Sequence, residues 1–279
     1  MQQPLVSVLI TTYNREKYIG QAIESVLASD YSHFELIVVD DGSKDTTVAL
    51  AEKYAQKDPR IKVFINEKNL GDYPNRNQAA KHAVGKYLKY VDADDYIYPW
   101  GITLLVQMME QFPSAGWGLC SLVQNVKRPF PFQLTPGEAY AYHYLGAGLF
   151  NKAPLSAIIK REVFEAVGGF APIRMAGDFE MWHRLAQRYP VVLMPHGMVW
   201  YREHEEQEMN SHRQFIGLYA ETTIKYLLDK DCPLEPVVVQ AIIRKSRKSF
   251  YREILKGIAT VNTHRIKDNM LRLKSYRHA

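Results

Sequence analysis

Three aspartates close together in the sequence are the first residues that could do chemistry. Asp92, Asp94 and Asp95 follow an apolar run that ends at Val91. Like charges this close repel one another unless a cation lies between them. Carboxylate oxygens suit a hard divalent ion such as Mg²⁺ or Mn²⁺, which leaves room for phosphate oxygens. An isolated D-x-D is more often a solvated acidic turn, but its place at a strand end favours a metal site.

A second acidic pair, Asp40-Asp41, also follows an apolar run. A carboxylate such as that of Asp41 can accept a hydrogen bond from a base N–H, for example uracil N3. Ser43 or Asp45 is expected to cap the helix that follows. Capping alone does not require the two aspartates, so Asp41 is a candidate nucleotide contact.

Candidate nucleotide contacts also occur near two other expected element ends. Thr11, Tyr13 and Arg15 come after the first apolar run, and these types can stack on a nucleotide or hydrogen-bond to it. Arg76, at the start of an expected helix, could contact a base or a pyrophosphate. The alternatives are ordinary loop residues and a surface arginine.

The elements that must position these side chains alternate between two hydrophobic periods. Short apolar runs typical of buried strands alternate with segments of helical period. The strands are predicted at Leu5–Ile10, Phe34–Val39, Ile61–Ile65 and Lys86–Val91. Short loops between strand and helix indicate right-handed crossovers and a parallel sheet. Ligands of such sheets bind at the carboxyl ends of the strands, so the polar clusters should meet at one edge.

The rest of the chain is less regular. Helices are predicted at 100–112 and 178–188, strands at 114–123, 154–159 and within 191–202, and a proline-containing loop at 127–136. After about His212 the chain is expected to be helical. The predicted class is therefore α/β, with a mostly parallel sheet flanked by helices and a helical C-terminal extension.

The composition indicates a globular chain. Of 279 residues, 47% are hydrophobic and 23% are charged, which excludes a mostly disordered protein. Two cysteines cannot form a disulfide framework and fit a reducing compartment. No apolar run reaches the roughly 18 residues of a membrane span, and the N-terminus lacks the features of a signal peptide. The expected location is cytoplasmic, with a peripheral position at the inner face of the membrane as an alternative.

The net charge of +5 is distributed unevenly. Residues 241–279 contain eleven Lys/Arg and two acids, a balance of +9, so the other 240 residues carry −4. This basic helical segment could lie on an anionic membrane surface. An ordinary helix packed on the rest of the chain is slightly favoured over this alternative. No nucleic-acid reader motif occurs in it, and no nucleic-acid partner is expected.

Several motifs in a fixed order resemble the family 2 glycosyltransferases of the GT-A fold. The resemblance covers about residues 5–210. It is carried by Val6-Ser-Val-Leu-Ile-Thr-Thr-Tyr-Asn14, Val38-Val-Asp-Asp-Gly-Ser43, Asn69-Leu-Gly71 with Asn75-Arg-Asn77, Tyr90-Val-Asp-Ala-Asp-Asp95, Gly177-Asp178 and Trp200-Tyr-Arg-Glu-His204. Each motif is moderately specific, and the ordered set is strongly specific.

The resemblance implies a Rossmann-like GT-A sheet and roles for particular residues. Asp41 would read the base, with Thr11, Tyr13 and Arg76 around the nucleotide. Asp92 would face the ribose and Asp94 would hold the metal. Asp178 matches the catalytic base, and His204 matches a position that often contacts the metal or the phosphates. Without the resemblance, Asp178 reads equally as a helix N-cap, and His204 as a surface imidazole beside glutamates.

One residue departs from the family pattern. The family commonly has Glu-Asp at the catalytic base, but Gly177 precedes Asp178 here. This departure puts the acceptor-side contacts in doubt more than the base itself.

The expected function is a metal-dependent, inverting transfer of a sugar from a nucleotide diphosphate-sugar, with UDP favoured. The acceptor would be a hydroxyl of a saccharide or of a lipid-linked molecule, in polysaccharide, glycolipid or glycan synthesis. The catalytic domain is expected at 1–212, with a nucleotide half at 1–98 and an acceptor half at 99–212, followed by the extension at 213–279. The alternatives are a nucleotidyltransferase that makes nucleotide-sugars and a non-catalytic nucleotide- or membrane-binding module.

Overall fold

The computed structural model describes residues 3–146, 148–205 and 213–277. The chain forms two compact units. The first comprises Met1–Thr135 with Asn151–Glu203, and the second comprises Pro136–Phe150 with His204–Ala279. Residues 136–150, which were predicted to belong to the acceptor half, thus group with the C-terminal segment. The division into functional domains at residue 212 stays a prediction.

The first unit is built on an eight-stranded sheet with the order β3-β2-β1-β4-β8-β6-β9-β7. Two short strands, β5 and β10, form a separate antiparallel pair. The strands are β1 (Val6–Thr12), β2 (Phe34–Asp40), β3 (Ile61–Ile65), β4 (Tyr87–Tyr90), β5 (Tyr96–Ile97), β6 (Trp117–Leu122), β7 (Phe132–Leu134), β8 (Ala157–Lys160), β9 (Val191–Pro195) and β10 (Val199–Trp200).

The first four strands of the sheet run parallel, as predicted. β1 pairs with β2 on one side and with β4 on the other, and β3 pairs with β2. All seven residues of β2 are buried, because helices cover both faces of a parallel sheet. β8 runs antiparallel to β4 and β6, so the sheet is mostly parallel rather than uniformly so.

Helices flank this sheet and make up most of the second unit. Those of the first unit are α1 (Ile19–Leu27), α2 (Thr47–Ala55), α3 (Asp72–Lys81), α4 (Gly101–Glu110), α6 (Arg161–Ala166) and α7 (Gly177–Arg188). Those of the second unit are α5 (Pro136–Leu145), α8 (Ile216–Leu227), α9 (Pro236–Ala259) and α10 (Thr263–Ser275). The predicted C-terminal helices are confirmed.

Two sequence predictions about the middle of the chain are wrong. The expected loop at 127–136 contains β7, whose Phe132 and Leu134 are buried and whose partner is β9. This pairing joins residues about sixty positions apart, which local sequence does not reveal. The strand predicted from residue 154 begins only at Ala157, because a short 3₁₀ turn occupies Pro154–Ser156.

The second unit has its own small core. Apolar side chains of α8 and α9 pack with Tyr276, and the buried members are Ala220, Leu227, Val239, Ile242, Ile243 and Tyr276. Among the helices of the described ranges, none combines the length and the hydropathy needed to cross a membrane.

Candidate active site

The loops that follow β1 and β2 are tied together by hydrogen bonds. The Asn14 backbone N–H donates to the Ser43 Oγ at 2.8 Å, and the Lys44 backbone N–H donates to the Asn14 Oδ1 at 2.8 Å. Asn14 has a φ of 50°, a left-handed conformation that asparagine adopts more readily than most residues. Two of the polar clusters predicted to meet at one edge of the sheet therefore do so.

Asp41 lies directly after β2 and is almost fully buried. Its carboxylate accepts hydrogen bonds from the Asn66 Nδ2 at 2.8 Å and from the backbone N–H groups of Leu70 and Gly71 at 2.9 Å each. These donors lie just before α3, where a negative charge is favoured by the helix dipole. The carboxylate therefore organises the loop that leads into α3. Its contact with a base stays a prediction.

Arg76, in α3, is a buried cation held between two carboxylates. Its Nε donates to the Asp72 Oδ1 at 2.9 Å, and its Nη1 lies 2.7 Å from the Asp92 Oδ1. Burial acts to lower the pKa of Arg76, but the charges of Asp72 and Asp92 raise it well above its usual value. Arg76 therefore stays charged and fixes Asp92 at the end of β4.

The other two aspartates of this cluster have different partners. The Asp94 Oδ2 accepts a hydrogen bond from the Arg15 Nε at 3.1 Å. The Asp95 Oδ1 accepts one from the Arg202 backbone N–H at 2.8 Å, while the Asp95 Oδ2 has no hydrogen-bond partner among the residues that the structure describes. Burial, and then the charge of Asp92, raise the pKa of Asp95 to about 8. Burial and the neighbouring carboxylates therefore favour the protonated form of one aspartate in the loop after β4.

The carboxylates of the loop after β4 fit a divalent cation that is also bound by a phosphate-containing ligand. In residues 3–146, 148–205 and 213–277, no group of three or more His, Cys, Asp or Glu side chains is arranged to hold a metal ion. Magnesium-type sites, however, commonly use one or two carboxylates together with substrate phosphates and water. Asp92 and Asp94 could supply those carboxylates. His204 belongs to the second unit, and its metal contact stays a prediction.

Asp178 is half-buried in the first turn of α7. The helix begins at Gly177, so Asp178 is not its N-cap, the alternative that the sequence left open. Its Oδ1 accepts a hydrogen bond from the Phe179 backbone N–H at 2.7 Å, and the Tyr73 hydroxyl donates to the same carboxylate. Burial raises the pKa of Asp178 to about 6, although both hydrogen bonds act to lower it. A carboxylate with such a pKa can take up a proton near neutral pH.

The remaining predicted nucleotide contacts lie at the end of β1. Thr11 is half-buried within the strand, and the side chain of Tyr13 is 45% exposed just beyond it. Arg15 follows and reaches Asp94. Their contacts with a nucleotide stay predictions.

Two residues of this region were not singled out from the sequence. The Arg202 Nε donates to the Asp94 carbonyl oxygen at 2.7 Å, in addition to the main-chain bond to Asp95. Tyr73 contacts Asp178, which lies more than a hundred positions away in the sequence. Arg202 stands inside a motif that carries the resemblance, and Tyr73 lies between Asn69-Leu-Gly71 and Asn75-Arg-Asn77, but neither has a residue type or spacing that indicates its partner.

The comparisons with known proteins agree with this geometry. The profile described as Glycosyl transferase family 2 matches residues 7–168, more than half of the chain. The chain belongs to glycosyl transferase family 2. The matched segment contains the loops after β1, β2 and β4 together with α3. The predicted resemblance is confirmed.

Curated relatives match a shorter segment. A Haemophilus influenzae protein named "Uncharacterized glycosyltransferase" is 38% identical over 97 residues, which is 35% of this chain and 39% of the relative. Bacillus subtilis TuaG, provisionally named a teichuronic acid biosynthesis glycosyltransferase, is 41% identical over 93 residues, 33% of this chain and 37% of the relative. The similarity thus spans about two fifths of each relative's length.

Solved structures of two glycosyltransferases share the fold. S. aureus TarS 1-349 in complex with UDP-GlcNAc has a TM-score of 0.69 at 21% identity, covering 97% of this chain and 80% of that chain. The mannosyltransferase PcManGT from Pyrobaculum calidifontis, in complex with GDP-Man and Mn²⁺, has a TM-score of 0.67 at 17% identity, covering 99% and 86%. The predicted GT-A type of fold is confirmed.

Proposed function

We propose that this chain transfers a sugar from a nucleotide diphosphate-sugar to an acceptor hydroxyl with inversion, and that Asp178 is the catalytic base. The position of Asp178 carries the proposal. It lies against α3, the helix whose Arg76 fixes Asp92 at the end of β4. A proton acceptor and the acidic strand end are thereby supported by one helix.

In the proposed reaction, each group of the chain has a defined task. The Asp178 carboxylate takes the proton of the acceptor hydroxyl while its oxygen bonds to the anomeric carbon. The bond from that carbon to the diphosphate oxygen breaks on the opposite side, and the diphosphate leaves with the electron pair. Asp92 and Asp94 would hold Mn²⁺ or Mg²⁺, which when bound offsets the charge that develops on the leaving diphosphate.

The donor is proposed to carry uridine, because the family resemblance assigns the base contact to Asp41, a carboxylate that could accept a hydrogen bond from uracil N3. The two solved structures named above contain UDP-GlcNAc and GDP-Man, so both bases belong in a donor screen. The name of TuaG, with its reference to teichuronic acid, supports an acceptor in cell-surface polysaccharide or glycan synthesis. Family membership favours this proposal over a nucleotidyltransferase.

A peripheral contact with anionic membrane is part of the proposal. On α9, five exposed residues lie on one face, which we call the α9 stripe: Arg244, Lys248, Tyr251, Leu255 and Ile258. Leu255 is 66% exposed and Ile258 is 59% exposed. Apolar side chains beside Lys/Arg suit the boundary between headgroups and acyl chains of an anionic bilayer. The partner is therefore proposed to be anionic phospholipid near a lipid-linked acceptor.

The test of the activity is a donor screen. The protein is incubated with nucleotide-sugars and Mn²⁺, with and without saccharide acceptors, and the released nucleoside diphosphate is measured. We expect release from one donor, a loss of about 10²–10⁴-fold in Asp178→Asn, and a kcat/KM that falls tenfold per pH unit below about pH 6, because only the ionised carboxylate accepts a proton.

Asp58→Asn is the matched control for this test. It makes the same chemical change at an aspartate that pairs with Arg60 just before β3, at the opposite edge of the sheet. We expect it to retain turnover. Full activity of Asp178→Asn would contradict the role as base. Absence of diphosphate release from every donor would favour a non-catalytic module.

A further inference from the structure

The ring of Tyr73 lies against Gly177, the residue that precedes the proposed base. A Cβ placed on Gly177 would lie 2.6 Å from the Tyr73 Cδ2 and 2.7 Å from its Cε2. Real Cβ atoms essentially never approach a ring so closely, so any side chain at 177 displaces the ring. Tyr73 itself is only 5% exposed. The phenol therefore occupies the space beside the backbone of α7 that a side chain at 177 would need.

The hydroxyl of Tyr73 makes two contacts with Asp178. Its O–H donates to the Asp178 carboxylate, and its oxygen accepts from the Asp178 backbone N–H. Burial raises the pKa of Tyr73 well above its usual value, so the phenol keeps the proton that it donates. One hydroxyl thus holds both the main chain and the side chain of the same residue.

Tyr73 is held in place by the packing of α3 against the segment before α7. The Asn77 side chain donates to the Phe170 carbonyl oxygen at 2.8 Å and accepts from the Phe170 N–H at 2.9 Å. The Tyr73 and Phe170 rings lie 5.4 Å apart, centroid to centroid. These contacts fix the helix relative to the segment, so the hydroxyl has little freedom to leave the carboxylate.

We propose that Tyr73 is a positioning residue for the catalytic base, acting through its hydroxyl on Asp178, and that residue 177 is glycine because the Tyr73 ring fills its side-chain space. Because this role presupposes Asp178 as the base, one readout of its test must work without any substrate.

The charged and titratable groups that face Asp178 from α3 are Asp72, Tyr73 and Arg76. Arg76 favours the ionised carboxylate and Asp72 disfavours it. Substitution of Tyr73 by phenylalanine leaves both charges in place and keeps the ring volume. The change isolates the hydroxyl, whose donation favours the ionised form of Asp178.

The first readout is the titration of Asp178 itself. In protein labelled with ¹³C at the aspartate side-chain carboxyl carbons, the resonance lost in Asp178→Asn identifies Asp178. Its midpoint is expected near pH 6 in the unaltered protein. In Tyr73→Phe we expect the midpoint to rise by about one pH unit, since a hydrogen bond to a charged group is removed. Tyr31→Phe, which removes a buried hydroxyl that bonds to the Pro4 carbonyl oxygen, should leave the midpoint unchanged.

A second readout applies to any donor that the screen finds. The acid limb of the kcat/KM profile of Tyr73→Phe should move upward by the same amount, so turnover well below the midpoint falls about tenfold. The affinity for nucleoside diphosphate with Mn²⁺ should not change. An upward shift in the titration without any donor turnover would support the positioning of Asp178 and contradict the proposed function.

Gly177→Ala keeps the Tyr73 hydroxyl but displaces the Tyr73 ring. It is therefore also expected to raise the midpoint of the Asp178 titration. It also covers the case in which Tyr73→Phe does not fold. An Asp178 midpoint that is the same in the unaltered protein and in each folded variant would overturn the proposal.

Discussion

Arg76 and Arg15 show that the acidic strand end is organised before any ligand arrives. Arg76 is buried between Asp72 and Asp92, while Arg15 pairs with Asp94 and is 27% exposed at its side chain. Arg15 is thus the less buried of the two arginines, since the side chain of Arg76 is 9% exposed, whereas Asp94 and Asp92 are exposed to a similar degree. If Asp94 holds a metal, as we propose, the ion would replace Arg15 rather than the buried Arg76.

Asp94→Ala should remove the metal-dependent part of nucleotide binding. In the unaltered protein, UDP with Mn²⁺ is expected to raise the melting temperature. The free energy of unfolding should increase by about 2.7 kcal/mol when the ligand concentration is a hundredfold above its Kd. The expected result for Asp94→Ala is the same small shift with Mn²⁺ as with a chelator, measured by thermal denaturation. Asp58→Ala is the control and should keep the full shift. Equal stabilisation of the unaltered protein with Mn²⁺ and with chelator would count against the metal role.

At the level of residues, the sequence predicted the members of the site better than their partners. Asp41, Asp92 and Asp94 were expected because acidic residues directly after apolar strands meet at one edge of a parallel sheet. Their local partners were not expected. Asp41 binds loop amides and Asp94 binds Arg15, and such pairings depend on side-chain directions that spacing does not specify.

At the scale of elements, disturbing the contact between α3 and α7 is expected to lower the free energy of unfolding by a measurable amount. Gly177→Ala is expected to destabilise the protein by about 1–3 kcal/mol, because the new methyl group overlaps the Tyr73 ring. Urea denaturation measures the change. The same substitution in a Tyr73→Ala background should cost less, which a double-mutant cycle detects as coupling.

Gly217→Ala is the matched control for that prediction. Gly217 also lies in the first turn of a helix, α8, but a Cβ there meets nothing within 4 Å. Alanine at this position should be neutral or slightly stabilising, since it restricts the unfolded chain. If Gly177→Ala lowers the free energy of unfolding no more than Gly217→Ala does, the Tyr73 ring moves freely.

The elements themselves differed in how far the sequence revealed them. β1 to β4 and the helices between them follow from hydrophobic period, because β1, β2 and β4 are buried almost throughout and the edge strand β3 is itself a short apolar run. β7 and β5 could not be predicted in this way. They have only three and two residues, which is too few to show a hydrophobic pattern, and they depend on their partners β9 and β10. α5 was also missed, because buried side chains on this ten-residue helix are few.

At the scale of the whole molecule, the basic charge is concentrated in the C-terminal helices. Residues 241–279 carry +9 while the remaining 240 residues carry −4. The α9 stripe adds exposed apolar side chains to this charge. A surface of this composition predicts binding to anionic lipid that weakens with salt.

Vesicle flotation tests this property. The protein should float with vesicles of phosphatidylcholine and phosphatidylglycerol, and not with phosphatidylcholine alone. Arg244→Glu with Lys248→Glu is expected to abolish flotation, because it reverses two charges of the stripe. Lys53→Glu with Lys57→Glu, which makes the same net change at two exposed lysines around α2, should float normally. Equal loss in both double variants would indicate a net-charge effect and contradict a specific surface.

The close approach of Tyr73 to Gly177 also constrains how this chain can diverge over generations. A larger residue at 177 is tolerated only after the aromatic at 73 has shrunk, and a chain that loses the aromatic first loses the hydroxyl that bonds to Asp178 in the meantime. The two sites, a hundred positions apart, are therefore expected to be inherited as a pair.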